Sequence, residues 1–405
     1  MNVIMIAPGY PPEMPYFVRG FAQNGGRVYG VGDQPEHEIP PMARQNLSAY
    51  LRVPNLVDEG AVVDAIKRWT APITVERVIC LWEPGVLLAA RTREALGVKG
   101  MSVEQANWFR DKDVMKEQVG RAGIRVPKHM SARTFAEVRA AAEKVGYPLI
   151  IKPIAGAGSM DTFRVDSPEE LDAAVLKVSS YDQVNIEEFI DGEEFTFDTV
   201  CSNGKVHFWN IGYYRPRPLV ARSTEWISPQ TLCLRDLDDP RLKGGVEMGF
   251  AVLEALEFDT GFTHMEWYLK PDGETVFGEI AARPAGANTV DLMNYVCDTD
   301  LFVGYPEAEL KGTFSQPTQR LYNSVNIFKR AQGQGRIRHI EGLDRIMRDF
   351  GQWILHVDLL PVGAQRRNWI QTLLSDGYVT LRHPDLQTAM DMADRVGTDL
   401  QLYAG

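Results

Sequence analysis

Short apolar runs alternate with amphipathic stretches over the first hundred residues. Residues 3–7 are apolar and end at Pro8 and Gly9, a pattern typical of a buried strand that meets a turn. The elements predicted next alternate between the two types: a helix over 15–24, a strand over 27–31, a strand over 78–82 and a helix over 85–96. This order is typical of a parallel sheet with helices on its faces. The first turn, PGYPP, lacks the GxGxxG spacing, and its prolines offer no amide hydrogen to a pyrophosphate, so a dinucleotide site is not predicted.

Beyond residue 105 the pattern changes to a compact α+β unit and then to a strand-rich region. The elements predicted in the first of these are helices over 111–120, 134–145 and 168–178 and strands over 128–131, 148–152 and 163–165. The elements predicted in the second are strands over 195–202, 205–212, 261–269 and 275–281 and a helix over 240–256. Turn residues at 202–204 and 271–273 predict two hairpins. We therefore expect four units: 1–105, 106–185, 186–312 and 313–405.

Composition narrows the class of protein. The chain has 405 residues, a length that suggests about three domains. Its 43 lysines and arginines against 54 aspartates and glutamates give a formal net charge of −11. An acidic surface repels phosphate backbones and anionic lipids, so we expect neither a nucleic-acid partner nor a membrane-surface role. The apolar runs are shorter than the roughly 18 residues that a membrane-spanning helix needs.

The N-terminus and the cysteines indicate a cytoplasmic protein. Residues 1–12 contain no basic stretch and predict a first strand rather than a signal peptide. Cys80, Cys201, Cys233 and Cys297 are widely spaced, without a CxxC pair or a histidine pair at zinc spacing. We expect all four to be reduced, buried thiols.

Two segments carry residue types suited to nucleotide or metal binding. Lys152 ends a predicted buried strand, and the small residues 155–159 follow it. Gly156 and Gly158 would let backbone amides approach an anion, but the same pattern fits an ordinary hairpin with a surface lysine. The segment 185–196 alternates acids with apolar residues and, taken alone, indicates an acidic edge strand that turns at 191–192.

A third segment pairs two carboxylates. Glu266 and Glu279 are thirteen residues apart on either side of the predicted 271–273 turn, so they could face each other on antiparallel strands. Two carboxylates at close range repel unless a cation lies between them, and oxygen ligands of this kind suit Mg²⁺. The alternative is a solvated pair on an exposed face.

Taken in order along the chain, these segments closely resemble the ATP-grasp superfamily, in its amino-acid ligase and biotin-carboxylase-like branch. They supply a lysine, a glycine loop, an acidic hinge and paired glutamates followed by Arg283. The stretches 95–100, 109–116 and 122–127 are similar to the family's entry into its nucleotide-binding lid. The resemblance covers about residues 75–290, with a looser match before it and weak motifs after it. It implies an α/β and α+β fold: an N-terminal parallel domain, a lid, a central antiparallel sheet and a small C-terminal cap.

The resemblance also implies roles for individual residues. The residues implied to bind ATP are Lys112 and Lys152 at the phosphates, Gly156, Gly158 and Ser159 in a loop over the triphosphate, Glu187, Glu188, Phe189 and Ile190 at the adenine, and Glu194 at the ribose. Glu266 and Glu279 would hold Mg²⁺, with Mn²⁺ as a substitute. Arg283 would lie against the transferred phosphoryl group, so that Arg283, Glu279 and Lys152 form the implied catalytic set.

The chain departs from the family pattern at one position. Many members carry asparagine two residues after the second glutamate, and here that residue is Ala281. Water is the simplest replacement for the lost metal ligand, and Asn288 is a weaker candidate. His264 stands two residues before Glu266 on the same strand face, either as a substrate contact or as a structural residue.

The implied reaction is ATP-dependent joining of a small-molecule carboxylate to an amine through an acyl phosphate, with release of ADP and phosphate. The alternatives are bicarbonate activation for a carboxylase, a purine-pathway step, and an ATP-binding module without catalysis. A homodimer is expected.

A final segment concerns the substrate. A span of eight residues contains three arginines, Arg215, Arg217 and Arg222, although the protein as a whole is acidic. Such a cluster of like charges is stable only near anions. Prolines stiffen the segment, and the family places a loop here at the edge of the substrate pocket. We predict that one or two of these arginines bind the carboxylate of an acid, with Tyr214 or Trp226 as an apolar wall. A solvated loop that pairs with surface acids is the alternative.

Overall fold

The computed structural model describes residues 1–154, 161–372 and 374–405. Its first sheet is parallel, with strand order β3-β2-β1-β4. The strands are β1 (Asn2–Ile6), β2 (Arg27–Gly32), β3 (Leu47–Arg52) and β4 (Arg77–Ile79). Alternate residues of β1 enter two separate cores, Val3 with α1 (Met14–Gln23) on one face and Ile4 on the other. Both faces are therefore covered, as parallel sheets require, and the predicted parallel domain is confirmed.

The second sheet is antiparallel, with order β5-β8-β6-β7. Its strands are β5 (His129–Ala132), β6 (Leu149–Pro153), β7 (Phe163–Val165) and β8 (Val184–Glu188). Because β8 pairs with β5 on one side and β6 on the other, the acidic segment is not an edge strand, and that interpretation is wrong. Residues 155–160, with the predicted triphosphate loop at Gly156, Gly158 and Ser159, lie outside the described residues.

An eight-stranded antiparallel sheet forms the centre, with order β13-β12-β9-β10-β11-β14-β18-β17. Its strands are β9 (Glu193–Ser202), β10 (Lys205–Arg215), β11 (Gln230–Cys233), β12 (Gly261–Leu269), β13 (Thr275–Ala281), β14 (Asn323–Phe328), β17 (Ile354–Leu359) and β18 (Gly377–His383). A small sheet near the C-terminus contains β15 (Gln332–Gly333), β16 (Ile337–Glu341) and β19 (Gln401–Ala404). Strands on both sides of residue 312 share the central sheet, and the four-unit division stays a prediction.

Helices cover the sheets and close the cores. They are α1, then α2 (Pro41–Asn46), α3 (Glu59–Trp69), α4 (Val86–Leu96), α5 (Val103–Trp108), α6 (Lys112–Arg121), α7 (Phe135–Val145), α8 (Pro168–Lys177), α9 (Pro218–Ser223), α10 (Lys243–Ala255), α11 (Thr289–Cys297), α12 (Leu301–Lys311), α13 (Leu343–Phe350) and α14 (Leu386–Asp399). α7 begins with a capping box, in which the Thr134 hydroxyl accepts from the Glu137 N–H and the Glu137 carboxylate accepts from the Thr134 N–H. Within the described ranges, none of these helices is long and apolar enough to cross a bilayer.

The structure tests three local predictions. Asn203 and Gly204 have φ values of 53° and 71°, the left-handed pair that a tight Asn-Gly hairpin needs, and they join β9 to β10 as predicted. The predicted arginine-rich loop is instead the end of β10 followed by α9, because β10 continues to Arg215. All four cysteines are buried as predicted, and burial raises the pKa of the Cys80 thiol to about 12.

Candidate active site

The floor of the candidate site is a pair of glutamates on neighbouring strands. Glu266 on β12 and Glu279 on β13 are direct partners in the antiparallel register. Regular pairing outward from the 271–273 turn would place Glu266 opposite Gly278 instead. A β-bulge beside Glu266 shifts the register by one residue and brings both carboxylates to one face. The predicted face-to-face pairing is confirmed, whereas the metal-binding role stays a prediction.

Two lysines reach this floor from different elements. The Asp111 carboxylate caps α6 by accepting from the N–H groups of Asp113 and Val114, which fixes Lys112 in the first turn. The Nζ of Lys112 lies 3.1 Å from Oε2 of Glu279, and the Nζ of Lys152 on β6 lies 4.0 Å from the same oxygen. Burial opposes ionisation of Glu279, but the two ammonium groups outweigh it and lower its pKa to about 2.

A third lysine, which the sequence analysis missed, completes a buried ionic network. Lys116 lies one turn after Lys112 on α6, is 1% exposed, and donates to Oε2 of Glu187. Oε1 of the same carboxylate is 2.5 Å from Nζ of Lys152. Burial works against the charge on Glu187, yet the two lysines lower its pKa to about 2, while burial lowers the pKa of Lys116 to about 8. Glu187 therefore holds Lys152 in place.

The lysines and glutamates line a cleft between the second sheet and the central sheet. The predicted nucleotide and metal residues that line this cleft are Lys112, Lys152, Glu187, Glu188, Phe189, Ile190, Glu194, Glu266 and Glu279. Segments that are far apart in sequence thus meet at one place.

The hinge residues at one end of the cleft are tied to arginines. Two oxygens of Glu188 accept from Nη2 of Arg125 at 2.8 and 3.0 Å, so this side chain is already occupied. The Phe189 ring has the guanidinium of Arg217 at 4.9 Å from its centroid. Nη1 of Arg217 donates to the Ile190 carbonyl at 2.9 Å. The side chains of Glu188 and Phe189 and the carbonyl of Ile190 are therefore engaged within the chain, and their implied contacts with adenine stay a prediction.

Glu194 is the unusual carboxylate of the cleft. It is 4% exposed and its pKa is raised to about 8, first by burial and then by repulsion from Glu266. Arg217 opposes this rise, with its Nε 3.6 Å from Oε2 of Glu194. A carboxylate held this way suits hydrogen bonding to hydroxyl groups more than binding a second cation.

Arg283 follows β13 and is held by a residue from the parallel sheet. Its Nε lies 2.5 Å from Oε2 of Glu83, and its Nη1 donates to the Pro284 carbonyl at 2.7 Å. Arg110, just before α6, donates to the other oxygen of Glu83. Burial disfavours the charged form of Glu83, but Arg283 and Arg110 lower its pKa. Glu83 thereby fixes the direction of Arg283.

His264 has a carboxylate at each ring nitrogen. Its Nδ1 lies 2.6 Å from Oδ1 of Asp198, and its Nε2 lies 3.6 Å from Oε1 of Glu266. Asp198 is fully buried and also accepts from the Thr196 hydroxyl at 2.7 Å. Burial would lower the pKa of His264, but the two carboxylates raise it to about 9. The structure therefore places His264 against Glu266, as its position on the strand suggested.

The three arginines of the predicted substrate segment contact different parts of the molecule. Arg215 donates to Gln230 at 3.0 Å and to Asp394 at 3.1 Å, and Arg222 donates to the Ile370 carbonyl at 2.5 Å. Arg217 lines the cleft with Glu194. Arg215 therefore fits the alternative interpretation, in which these arginines pair with acidic residues of the chain itself. Tyr214 lies on β10, and Trp226 is 57% exposed with Arg366 over its ring.

The residues fit a divalent cation that is shared with a substrate. In the part of the chain that the structure describes, no three His, Cys, Asp or Glu side chains converge tightly enough to enclose an ion alone. Mg²⁺ is commonly held by one or two carboxylates together with substrate phosphates, and the pair Glu266 and Glu279 matches that arrangement. Asn288 precedes α11 with φ 60°, and its backbone N–H donates to Glu13.

Comparison with known proteins identifies the fold. Residues 121–292 match the family model of the D-ala D-ala ligase C-terminus. The structure superposes on an L-amino acid ligase from Bacillus licheniformis with a TM-score of 0.80 and 21% identity, covering 100% of this chain and 98% of that one. The chain has the fold of an ATP-grasp ligase. Its fold also superposes on N5-carboxyaminoimidazole ribonucleotide synthetase from Thermotoga maritima, with a TM-score of 0.71, 18% identity and coverage of 100% and 99%.

Among curated relatives, the chain is similar in sequence to ligases of Bacillus subtilis. It is 28% identical over 218 residues to an L-arginine-specific L-amino acid ligase, covering 52% of each chain. It is 26% identical over 269 residues to an alanine–anticapsin ligase, covering 60% of this chain and 56% of the relative. The chain thus spans about half the length of the curated relatives it matches.

Proposed function

We propose that the protein is an ATP-dependent ligase that activates a small-molecule carboxylate as an acyl phosphate and joins it to an amine. The observation that carries the proposal is the convergence of Lys112 and Lys152 on Glu279, opposite Glu266, in one cleft. One relative is named as an L-arginine-specific L-amino acid ligase and another as an alanine–anticapsin ligase, which supports an amino acid as one substrate.

The chemistry explains why these charges are needed. A carboxylate does not react with an amine at neutral pH, because the oxide is a very poor leaving group. Transfer of the γ-phosphoryl group from ATP to a carboxylate oxygen gives ADP and an acyl phosphate. The amine nitrogen then attacks the carbonyl carbon, the C–O bond to phosphate breaks with its electron pair, and the nitrogen loses a proton. Both steps move negative charge, which fixed cations stabilise.

The chain supplies those cations in fixed positions. Lys112 and Lys152 are oriented by Glu279 and Glu187, so they neutralise phosphate oxygens without reorganisation. Arg283, directed by Glu83, presents a planar fork to the transferred phosphoryl group or to the reacting carboxylate. Glu266 and Glu279 would hold Mg²⁺, or Mn²⁺ in its place, which neutralises the charge shared between the phosphates.

The rest of the cleft suits the nucleoside. The backbone from Glu188 to Ile190 faces the adenine in this proposal. Glu194, whose pKa is raised to about 8, holds a proton near neutral pH, so it can donate one hydrogen bond to a ribose hydroxyl and accept another. The loop with Gly156, Gly158 and Ser159 remains the proposed cover of the triphosphate. Of the three predicted substrate arginines, Arg215 and Arg222 remain candidates for the substrate carboxylate, whereas we assign Arg217 to the nucleotide because it contacts Glu194 and the Ile190 carbonyl. A homodimer remains a proposal that sedimentation velocity can test.

A paired-substrate screen tests the function. Amino acids and small acids are supplied in pairs with ATP and Mg²⁺, ADP release is followed, and products are identified by mass spectrometry. We expect ADP release that needs both an acid and an amine, together with a new amide product. The matched control is Glu279→Gln, which should release ADP in no pair.

The same screen separates the alternatives. ATP turnover that needs bicarbonate and no other carboxylic acid would favour bicarbonate activation. ATP binding without turnover in any pair would favour a non-catalytic module. Either result would replace the proposed ligation.

A further inference from the structure

One end of the central sheet is an open edge, formed by β17. This strand is last in the order and pairs with β18 on one side only. At the other end of the sheet β13 is covered, because the Phe277 N–H donates to the Arg125 carbonyl at 2.9 Å. In the part of the chain that the structure describes, no comparable bond reaches β17 from outside the sheet. An edge of this kind is a template for a further strand.

The pairing of β17 with β18 shows which main-chain groups lie at the open edge. The Leu360 N–H, just beyond the strand, donates to the Asp376 carbonyl at 2.9 Å on the β18 side. In an antiparallel pair, the main-chain groups of successive residues point alternately toward the neighbouring strand and away from it. Asp358 therefore faces β18, whereas Val357 and Leu359 present their N–H and C=O groups at the open edge.

The side chains of β17 alternate between the core and solvent. Val357 and Leu359 pack against the main hydrophobic core, whereas His356 and Asp358 are exposed on the other face. The exposed face of the edge strand thus carries a base and an acid two residues apart. The residue between them is the one whose main chain is open.

This order of residues is self-complementary about Val357. In a second copy of the strand placed antiparallel, with Val357 opposite itself, His356 lies opposite Asp358 of the partner subunit. By symmetry this pair of opposite charges forms twice, and on the core face Leu355 lies opposite Leu359 of the partner subunit. A register centred on Asp358 would instead bring two carboxylates together, and one centred on His356 would pair two imidazoles.

We propose that two copies of this chain associate through their β17 strands, antiparallel about a two-fold axis at Val357, so that the two central sheets join into one. The proposal goes beyond the ligase reaction and gives the homodimer an interface. Val357 exchanges two N–H···O=C bonds with its counterpart. His356 and Asp358 of the partner subunit form the neighbouring pair without main-chain bonds, in which side chains approach most closely. Such an interface is closed, so association stops at two copies.

The interface lies far from the nucleotide cleft. β17 and β13, the strand that carries Glu279, are at opposite ends of the central sheet. Each subunit therefore keeps a complete cleft of its own. Substitutions on the exposed face of β17 change association without touching the residues proposed to bind ATP.

Sedimentation velocity of the full-length protein over a concentration series tests the interface. We expect a monomer–dimer equilibrium in the wild type. His356→Glu sets two carboxylates against each other in both symmetry-related pairs and should raise the Kd of the dimer at least about 10-fold. The double variant His356→Glu/Asp358→Lys reverses the charges and should restore the wild-type Kd. His37→Glu, the same substitution at an exposed histidine of the parallel domain, is the matched control and should leave the Kd unchanged.

Disulfide cross-linking tests the register. Directly opposite residues in a pair without main-chain bonds have Cα atoms about 4.5 Å apart, within the range of a disulfide. His356→Cys/Asp358→Cys should therefore form a covalent dimer on mild oxidation, whereas either single variant should stay unlinked. The four native cysteines are buried and should not contribute.

The outcomes separate the interface from the reaction. A wild type that stays monomeric throughout the series, or a dimer whose Kd does not change in His356→Glu, would overturn the proposal. Covalent dimers of a single cysteine variant would overturn the register. His356→Glu should keep its circular dichroism spectrum and wild-type ADP release. ADP release absent from every protein, the wild type included, would count against the proposed ligation and leave the dimer standing.

Discussion

Removing the charge of Glu279 tests the centre of the site. Glu279 has Lys112 at 3.1 Å and Lys152 at 4.0 Å, and its pKa is lowered from 4.5 to about 2. That depression corresponds to a net preference of about 3 kcal/mol for the carboxylate over the acid, after the opposing effect of burial. Glutamine has nearly the same shape and no charge, so Glu279→Gln removes this interaction while preserving the packing of β13.

We expect Glu279→Gln to lower kcat at least about 100-fold, since removing one stabilising group from a charged transition state costs about 2.7 kcal/mol or more. ADP release is measured over a Mg²⁺ series, with circular dichroism and thermal unfolding as checks of the fold. Glu254→Gln, on the exposed side of α10, is the matched control and should keep wild-type turnover. A Glu279→Gln protein with wild-type kcat and normal Mg²⁺ dependence would refute the reasoning.

Three further predictions follow from the same site. The pKa of Glu187 is about 2 in the folded protein and near 4.5 when unfolded, so its pairing stabilises the fold above pH 4.5 and that stability is lost as pH falls toward 2. The free energy of urea unfolding should fall over this pH range in the wild type and change less in Glu187→Gln, and equal profiles would contradict the reasoning. Arg217→Ala should raise the KM for ATP about 10-fold, the scale of one charge-assisted contact, and leave the KM for the acid unchanged; the opposite split would place Arg217 at the acid. Oxygen-18 in the donor carboxylate should appear in the released phosphate, whereas AMP and pyrophosphate as products would exclude the acyl phosphate.

Local sequence patterns predicted much of the fold and the pairing of the two glutamates. The 271–273 turn residues predicted the hairpin that brings Glu266 and Glu279 together, although the bulge that sets their exact register depends on the packing of the whole sheet. Lys152 at the end of a buried strand was also visible in the sequence, and it lies in the cleft.

Glu187, His264 and Arg283 were named from the sequence, but the ion pairs that hold them were missed, because the partners are distant in the chain. Lys116 and Glu187 are 71 residues apart, Asp198 and His264 are 66 apart, and Glu83 and Arg283 are 200 apart. Each had a local signal, such as Asp198 within the apolar run FTFDTV or Lys116 one turn after Lys112. Such a signal shows that a polar group is to be buried, but the identity of its partner is decided only by tertiary packing.

The central sheet makes the last ninety residues inseparable from the nucleotide cleft. β11 pairs along its whole length with β14, Gln230 opposite Ile327 and Cys233 opposite Ser324, and every residue of β11 is buried. A chain that stopped at residue 312 would present this strand as a bare, apolar edge, the kind of surface on which chains of the same protein aggregate. A C-terminal region taken from another protein would therefore have to supply a strand that pairs with β11 in the same register.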